Sequence, residues 1–224
     1  MVKKNRYIIQ DREQSRVAES FRVLSAAMQE AQKKSGLKTV LFSTVSAGEG
    51  DTMSAVNAAV TLAYAGKKVV LADCDMRHPV LHEIFNLNAF GVTNIILQDK
   101  PIKEMLQDSG IENLQVLTSG SVLSAPVDLL SNPKVRELFE TLKTMADYIF
   151  IVSAPLIIQT STIISDACIV ASKVDGVVLV IDSRTVKTQI AMKAVELLKG
   201  ARANLIGTVL NDVKVDEQLI YQAS

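Results

Sequence analysis

Thr39-Val-Leu-Phe-Ser-Thr-Val-Ser-Ala-Gly-Glu-Gly-Asp-Thr-Met53 is the stretch on which the reading of this chain turns. It opens as an apolar run over Thr39–Phe42. It then passes through a turn-rich loop, Ser43 to Asp51, into a helix expected over Thr52–Ala65 and closed by Gly66. A second apolar run, Val69–Ala72, follows at once. Strand, loop, helix, strand is the repeating unit of an α/β sheet. Runs that are apolar throughout, rather than alternating, mark parallel strands covered on both faces. Glycines in the loop let backbone N–H groups turn towards an anion, and the helix N-terminus adds partial positive charge. A complete phosphate loop ends in Gly-Lys-Ser/Thr, the lysine reaching the β- and γ-phosphates and the hydroxyl binding Mg²⁺. Here Gly50-Asp51-Thr52 keeps the hydroxyl and puts an acid in the lysine's place. A solvated turn capped by an acid is the competing reading of the same residues.

The second run ends Ala72-Asp-Cys-Asp-Met-Arg77. That places two carboxylates, Asp73 and Asp75, and an arginine at the C-terminal end of a strand, where open α/β sheets bind ligands. Alternate residues on an extended segment share a face, which suits a metal ion or a hydroxyl's proton. The plainer reading is that Asp73 and Asp75 cap the next turn. A third apolar run, Tyr148–Val152, leads to Ser153-Ala-Pro155. Such a strand commonly ends in an acid that holds Mg²⁺ or its water, and here Ser153 stands at that position.

Outward from this centre the alternation continues. Strands are expected at Leu114–Leu117, Tyr148–Val152, Gly176–Ile181 and Leu205–Leu210, with helices at Lys134–Met145, near Ser161–Ala171 and at Thr185–Leu198. Residues 1–10 read as an irregular arm. From Asp11 to about Lys34 the spacing of Val17, Phe21, Leu24, Met28 and Ala31 predicts a helix with one apolar face. The expectation is a mostly parallel central sheet with helices on both faces, in one domain spanning 1–224. Residues 1–36 form its N-terminal arm and helix, and 214–224 a short tail.

Lys plus Arg and Asp plus Glu are both 24, so net charge argues for neither nucleic acid nor an anionic surface. Cys74 and Cys168 make no disulfide framework, and the reading is a reducing cytoplasm. MVKKNRYIIQDREQ has no apolar signal region, and no run approaches the roughly 18 apolar residues of a membrane span. Direct membrane insertion is not expected; a partner would hold the protein there. His78 and His82 stand four apart near Cys74 without an evident fourth ligand, so metal binding is the weaker reading. Tyr64 and Tyr148 read as packing residues.

Together the loop, the Asp-x-Asp-x-Arg strand end and the Ser153-x-Pro155 strand end resemble the bacterial tyrosine kinases of capsule and exopolysaccharide synthesis. The similarity covers essentially the whole chain. Arg77-His-Pro79 with Leu81-His82, Gly91-Val-Thr93, Leu117-Thr-Ser-Gly120 with Ala125-Pro-Val-Asp-Leu-Leu130, and Leu205-Ile-Gly-Thr-Val-Leu-Asn211 also resemble family segments. The resemblance implies ATP or ADP with Mg²⁺ as cofactors. Gly48, Glu49, Gly50, Asp51, Thr52 and Met53 would form the phosphate loop, and Arg77 belongs with the nucleotide site. Thr52 would bind Mg²⁺. Asp73 would contact the metal or take the tyrosine proton, with Asp75 beside it, and Asn211 would read the base. It further implies a subunit interface through Glu19 and Arg22, a tyrosine acceptor at Tyr221, and docking on a membrane adaptor of the polysaccharide co-polymerase type.

Four positions depart from the family pattern: Asp51 for the lysine, Ser153 for the acid, Ser25 for the second interface arginine, and a tail with Tyr221 alone. A unit charge pair at about 4 Å is worth roughly 4 kcal/mol at an effective dielectric near 20. Lys to Asp forfeits that attraction and adds repulsion. The resemblance therefore points to impaired or absent kinase activity in a regulatory or scaffolding role, as a homo-oligomer or with an active paralogue, in the cytoplasm at the inner face of the membrane. Two alternatives stand beside it. One is an active autokinase. The other is a partitioning-type ATPase or an interaction module without nucleotide on the same scaffold.

Overall fold

The computed structural model describes residues 16–46, 50–157 and 166–211, with backbone alone for Arg16 and Asp51. The elements are α1 (Arg16–Ser35), β1 (Thr39–Thr44), α2 (Gly50–Tyr64), β2 (Val69–Cys74), α3 (Leu81–Phe85), α4 (Val92–Gln98), α5 (Ile102–Met105), β3 (Gln107–Asp108), β4 (Leu114–Leu117), α6 (Val127–Ser131), α7 (Pro133–Lys143), β5 (Tyr148–Ser153), α8 (Asp166–Ala171), β6 (Gly176–Asp182), α9 (Thr188–Gly200) and β7 (Leu205–Asn211). The strands form one sheet in the order β3-β4-β2-β5-β1-β6-β7. Every pairing is parallel except that of the two-residue β3 with β4.

β1 and β2 are buried along their whole length, as continuous apolar strands in a covered parallel sheet must be. One face carries α1, α2 and α3; α2 alone contributes Ala55, Val56, Ala59, Val60 and Leu62 to that core. The other face carries α4, α6, α7, α8 and α9, with Leu130, Leu138, Phe139 and Leu142 at its centre. The expected class, an α/β sheet covered on both faces, is thus the observed one. No helix among the described residues is long and apolar enough to cross a membrane.

Three expectations shift. Of the face expected on α1, Phe21, Leu24 and Met28 pack on the core, whereas Val17 is 43% exposed and Ala18 and Ser25 are buried beside them. The helix expected from Thr185 begins at Thr188, because the Asp182 carboxylate accepts the Arg184 and Thr185 amides and turns the chain first. Tyr64, expected to pack, is 53% exposed at the end of α2, whereas Tyr148 is fully buried. The arm, the helix start expected at Asp11, residues 161–165 of a further expected helix, and the tail 214–224 lie outside the described residues.

At the N-terminal edge of the sheet a polar network closes the strands. Asp175 accepts the amides of Lys38 and Thr39 at 2.9 Å each, and the Lys143 ammonium at 2.8 Å. Lys38 Nζ in turn donates to the carbonyls of Lys143 and Ala146. Burial pulls the Asp175 carboxyl up, but the Lys143 bond and the amides of Thr39 and Lys38 outweigh it and hold it below its ordinary value.

Candidate functional site

The parallel register brings the C-terminal ends of β2, β5, β1, β6 and β7 side by side along one edge. Thr44 and Val45 lead from β1 into the loop, and α2 begins at Gly50. Gly48 and Glu49 lie outside the described residues, as does the side chain of Asp51. Thr52 and Met53 are half-buried in the first turn of α2. The chain leaving β5 runs past the loop's entry: Leu156 and Ile157 donate their amides to the carbonyls of Thr44 and Val45 at 2.9 and 3.0 Å.

Asp73 is fully buried. Its Oδ1 accepts the Asp75 amide at 3.0 Å, and its Oδ2 accepts those of Val80 and Leu81 at 3.1 Å each. The carboxylate thus holds the turn from β2 into α3 by three backbone donors. Burial pushes it up to about 7, against the lowering pull of the Leu81 amide and with the nearby Asp75 charge adding to the rise. Asp75 is half-buried, and its Oδ1 accepts the amides of Arg77 and His78 at 3.1 and 2.9 Å. Both acids therefore make the capping contacts of the plainer sequence reading.

Arg77 bonds to segments distant in the chain. Its Nε reaches Asp166 Oδ2 at 2.5 Å and its Nη2 reaches Oδ1 at 3.3 Å, while Nη1 donates to the Ser124 carbonyl at 2.8 Å. Asp166 is 2% exposed at the start of α8. The guanidinium thus ties together the segments after β2, after β4 and at the start of α8. Nothing in the local sequence around Arg77 pointed to Asp166 or Ser124.

Ser153 is half-buried at the end of β5, opposite Cys74 of β2, and its hydroxyl donates to the Ala154 carbonyl at 3.1 Å. Asn211 is half-buried at the end of β7, opposite Asp182, and its carbonyl accepts the Ser183 amide at 3.0 Å. On α1, Glu19 and Arg22 form an exposed ion pair at 2.7 Å. Ser25, three residues on, is buried, and its hydroxyl has no hydrogen-bond partner. The position at which the family pattern has its second arginine thus faces inward in this chain. No cluster of His, Cys, Asp and Glu suited to a metal occurs among the described residues.

The AAA domain family model matches residues 37–183, from the start of β1 through the end of β6. The tyrosine-protein kinase YwqD of Bacillus subtilis is 32% identical over 205 residues, 91% of this chain and 84% of that protein. The chain belongs to the bacterial tyrosine-protein kinase family. Among solved structures, the chimerical protein CapA2B2 is 30% identical, with a TM-score of 0.84 over 93% of this chain and 90% of that one. The septum site-determining protein MinD of Pyrococcus horikoshii, solved with Mg-ADP, is 23% identical at a TM-score of 0.61 and shares the fold alone. In this tyrosine kinase family member the strand ends that would form the site are assembled, and the acids at the end of β2 are engaged with backbone.

Proposed function

We propose that this chain is a tyrosine-kinase-like protein of polysaccharide synthesis or export whose own phosphotransfer is impaired or absent, and which regulates or scaffolds an active partner. It would act as one domain over 1–224, docked at the inner membrane face on an adaptor of the co-polymerase type, in a homo-oligomer or beside an active paralogue, with Glu19 and Arg22 at the subunit contact. Tyr221 would be the acceptor of the tail.

The observation that carries the reading is Asp51 in the loop that would cradle the phosphates, Gly48 to Met53, where the charge reverses from attraction to repulsion. The donor set suits Mg²⁺ poorly. Both oxygens of Asp73 already serve backbone amides, and Ser153 offers a neutral hydroxyl engaged with Ala154. Thr52 is left as the ordinary hydroxyl ligand. Asp75 and Asn211 remain the proposed contacts for the acceptor tyrosine and the base. Arg77 serves the walls of the site rather than the nucleotide.

The test is the double reversion Asp51→Lys with Ser153→Asp, assayed with radiolabelled ATP and Mg²⁺. The natural chain is expected to transfer no label and to gain little thermal stability from ATP, while the revertant is stabilised by ATP through mass action and labels Tyr221. Transfer by the natural chain at ordinary kinase rates, on the order of 1–100 per second, overturns the reading.

A further inference from the structure

The two edges of the sheet end differently. β3, at one edge, is two residues long, and an earlier segment closes over it: the Gln107 amide donates to the carbonyls of Asn88 and Phe90, and its oxygen accepts the Asn88 amide. β7, at the other edge, runs seven residues, Leu205–Asn211. Among the described residues, no backbone hydrogen bond outside the ladder with β6 reaches residues 205–210. A row of unpaired N–H and C=O groups on an edge invites another strand, and proteins guard such edges with lysine, proline or shortness. Leu205-Ile-Gly-Thr-Val-Leu-Asn211 has no charge and no proline. Its register with β6 shifts once, at Leu205–Gly207, and residues 207–211 are regular.

β7 is also the long strand that the helices cover least. β1 and β2 are buried throughout and β5 and β6 over five residues each, whereas β7 has no buried residue. Gly207 pairs with Val178, on the face of α1 and α2, and a side chain added at Gly207 would meet nothing within 4 Å. Thr208 and Leu210 pair with Leu179 and Ile181 on the opposite face; both are exposed, Leu210 by 59%. The strand is therefore open on its edge and on both faces, where strands of a parallel sheet are ordinarily covered. Its flanks in the sequence carry opposite charge. Lys199 and Arg202 lead into it; Asp212, Asp216 and Glu217, against Lys214, follow it.

We propose that the open edge of β7 pairs antiparallel with the same edge of a second copy of this chain, so that one sheet runs through both. The chemistry of the edge calls for an extended backbone, and the charge of its flanks selects the copy and the direction. Antiparallel pairing sets the cationic lead-in of one strand against the acidic lead-out of the other, while parallel pairing sets like against like. A two-fold axis normal to the sheet keeps each residue on its own face, so one residue must lie opposite itself. Centred on Val209, the regular stretch 207–211 pairs with itself and the exposed Thr208 meets the exposed Leu210 on both sides of the axis, a cross-strand contact. A contact of one strand pair is smaller than the roughly 1,200 Å² of a stable interface, so the dimer is weak and depends on concentration. The inference rests neither on nucleotide binding nor on the subunit contact at Glu19 and Arg22.

Sedimentation equilibrium of the full chain without nucleotide, from about 5 to about 500 µM, tests it, and a monomer–dimer equilibrium is expected. Leu210→Lys puts a guarding charge on the edge and is expected to weaken the dimer roughly tenfold or more. Thr208→Lys reads the same edge should the first variant perturb folding by circular dichroism. Val23→Lys, on the exposed side of α1, is expected to leave the dimer unchanged. Residues directly opposite in an antiparallel pair have Cα atoms about 4.5–5.5 Å apart, within disulfide reach. Val209→Cys is therefore expected to oxidise to a covalent dimer, and Thr208→Cys with Leu210→Cys reads the same register; the natural Cys74 and Cys168 are buried. Four results overturn the proposal: a monomer at every concentration, a dimer weakened by Val23→Lys and not by Leu210→Lys, no cross-link in either cysteine variant, or a monomer whose amides at 206–210 are protected from hydrogen exchange, which assigns the edge to a segment of the chain itself.

Discussion

Arg77→Met isolates the tie between the loops around the site. In the folded protein the guanidinium holds Asp166 through two nitrogens, at 2.5 and 3.3 Å, and the Ser124 carbonyl at 2.8 Å. The Asp166 side chain is 3% exposed and that of Arg77 30%. Methionine fills much of the same volume and leaves a buried carboxylate without its cation. Removing one partner of a buried pair costs about 3–5 kcal/mol. Because the arginine is partly wet, the lower end applies, about 3 kcal/mol. For a chain of this length that corresponds to roughly 9 °C in melting temperature. Urea unfolding followed by circular dichroism measures the loss. Asp166→Asn made in the Arg77→Met background removes the orphaned charge and is expected to recover part of it, with a coupling of about 2 kcal/mol in the double-mutant cycle. Arg77→Lys is expected to fall between, since an ammonium cannot reproduce the fork. A loss below about 1 kcal/mol in Arg77→Met, or a cycle without coupling, refutes the tie.

Two further predictions concern packing and pH. A Cβ on Gly91 would sit 1.6 Å from the Thr118 carbonyl oxygen, so Gly91→Ala is expected to part α4 from β4 and cost at least about 3 kcal/mol, read as loss of soluble protein or a lowered urea midpoint. Asp175 has a folded-state pKa below its unfolded value, so its contribution is present above the ordinary carboxylate range and is lost as pH falls through that range and below it. Asp175→Asn is accordingly expected to lower the unfolding midpoint at neutral pH and to match the natural chain in strong acid; an equal deficit at both pH values counts against the assignment.

The parallel strands were legible because burial on both faces makes them apolar at every position, as in Val40-Leu-Phe42 and Val177-Val-Leu-Val180. The segment from Leu81 to Ser131 was not, apart from the strand expected and found at Leu114–Leu117. Its helices α3 to α6 have seven residues or fewer, too short to display a 3.6-residue period. They are held by distant contacts instead: Asp73 caps the turn into α3, and Gly91 bridges Thr118. On α1 the expected Phe21, Leu24 and Met28 face the core; Val17 alone was misplaced, because Val17 and Ala18 both continue the same spacing and only packing against α2 decides between them. At the site, spacing placed Asp73 and Asp75 at a strand end but could not show that both oxygens of Asp73 and Oδ1 of Asp75 accept backbone amides. Asp166 lies 89 positions from Arg77, beyond the reach of any local pattern.

The position of β1 bears on synthesis as well as on binding. β1 lies between β5 and β6, pairing Thr39 with Ile149 and Val40 with Gly176. Neither neighbour exists when β1 leaves the ribosome. At about 5–20 residues per second the wait for both is on the order of ten seconds or more. During that interval the apolar run Val40–Phe42 has both hydrogen-bonding edges open. Nascent chains halted before residue 148 are therefore expected to be held by chaperones rather than to fold, and it is the late-made β5 and β6 that close the centre of the sheet around β1.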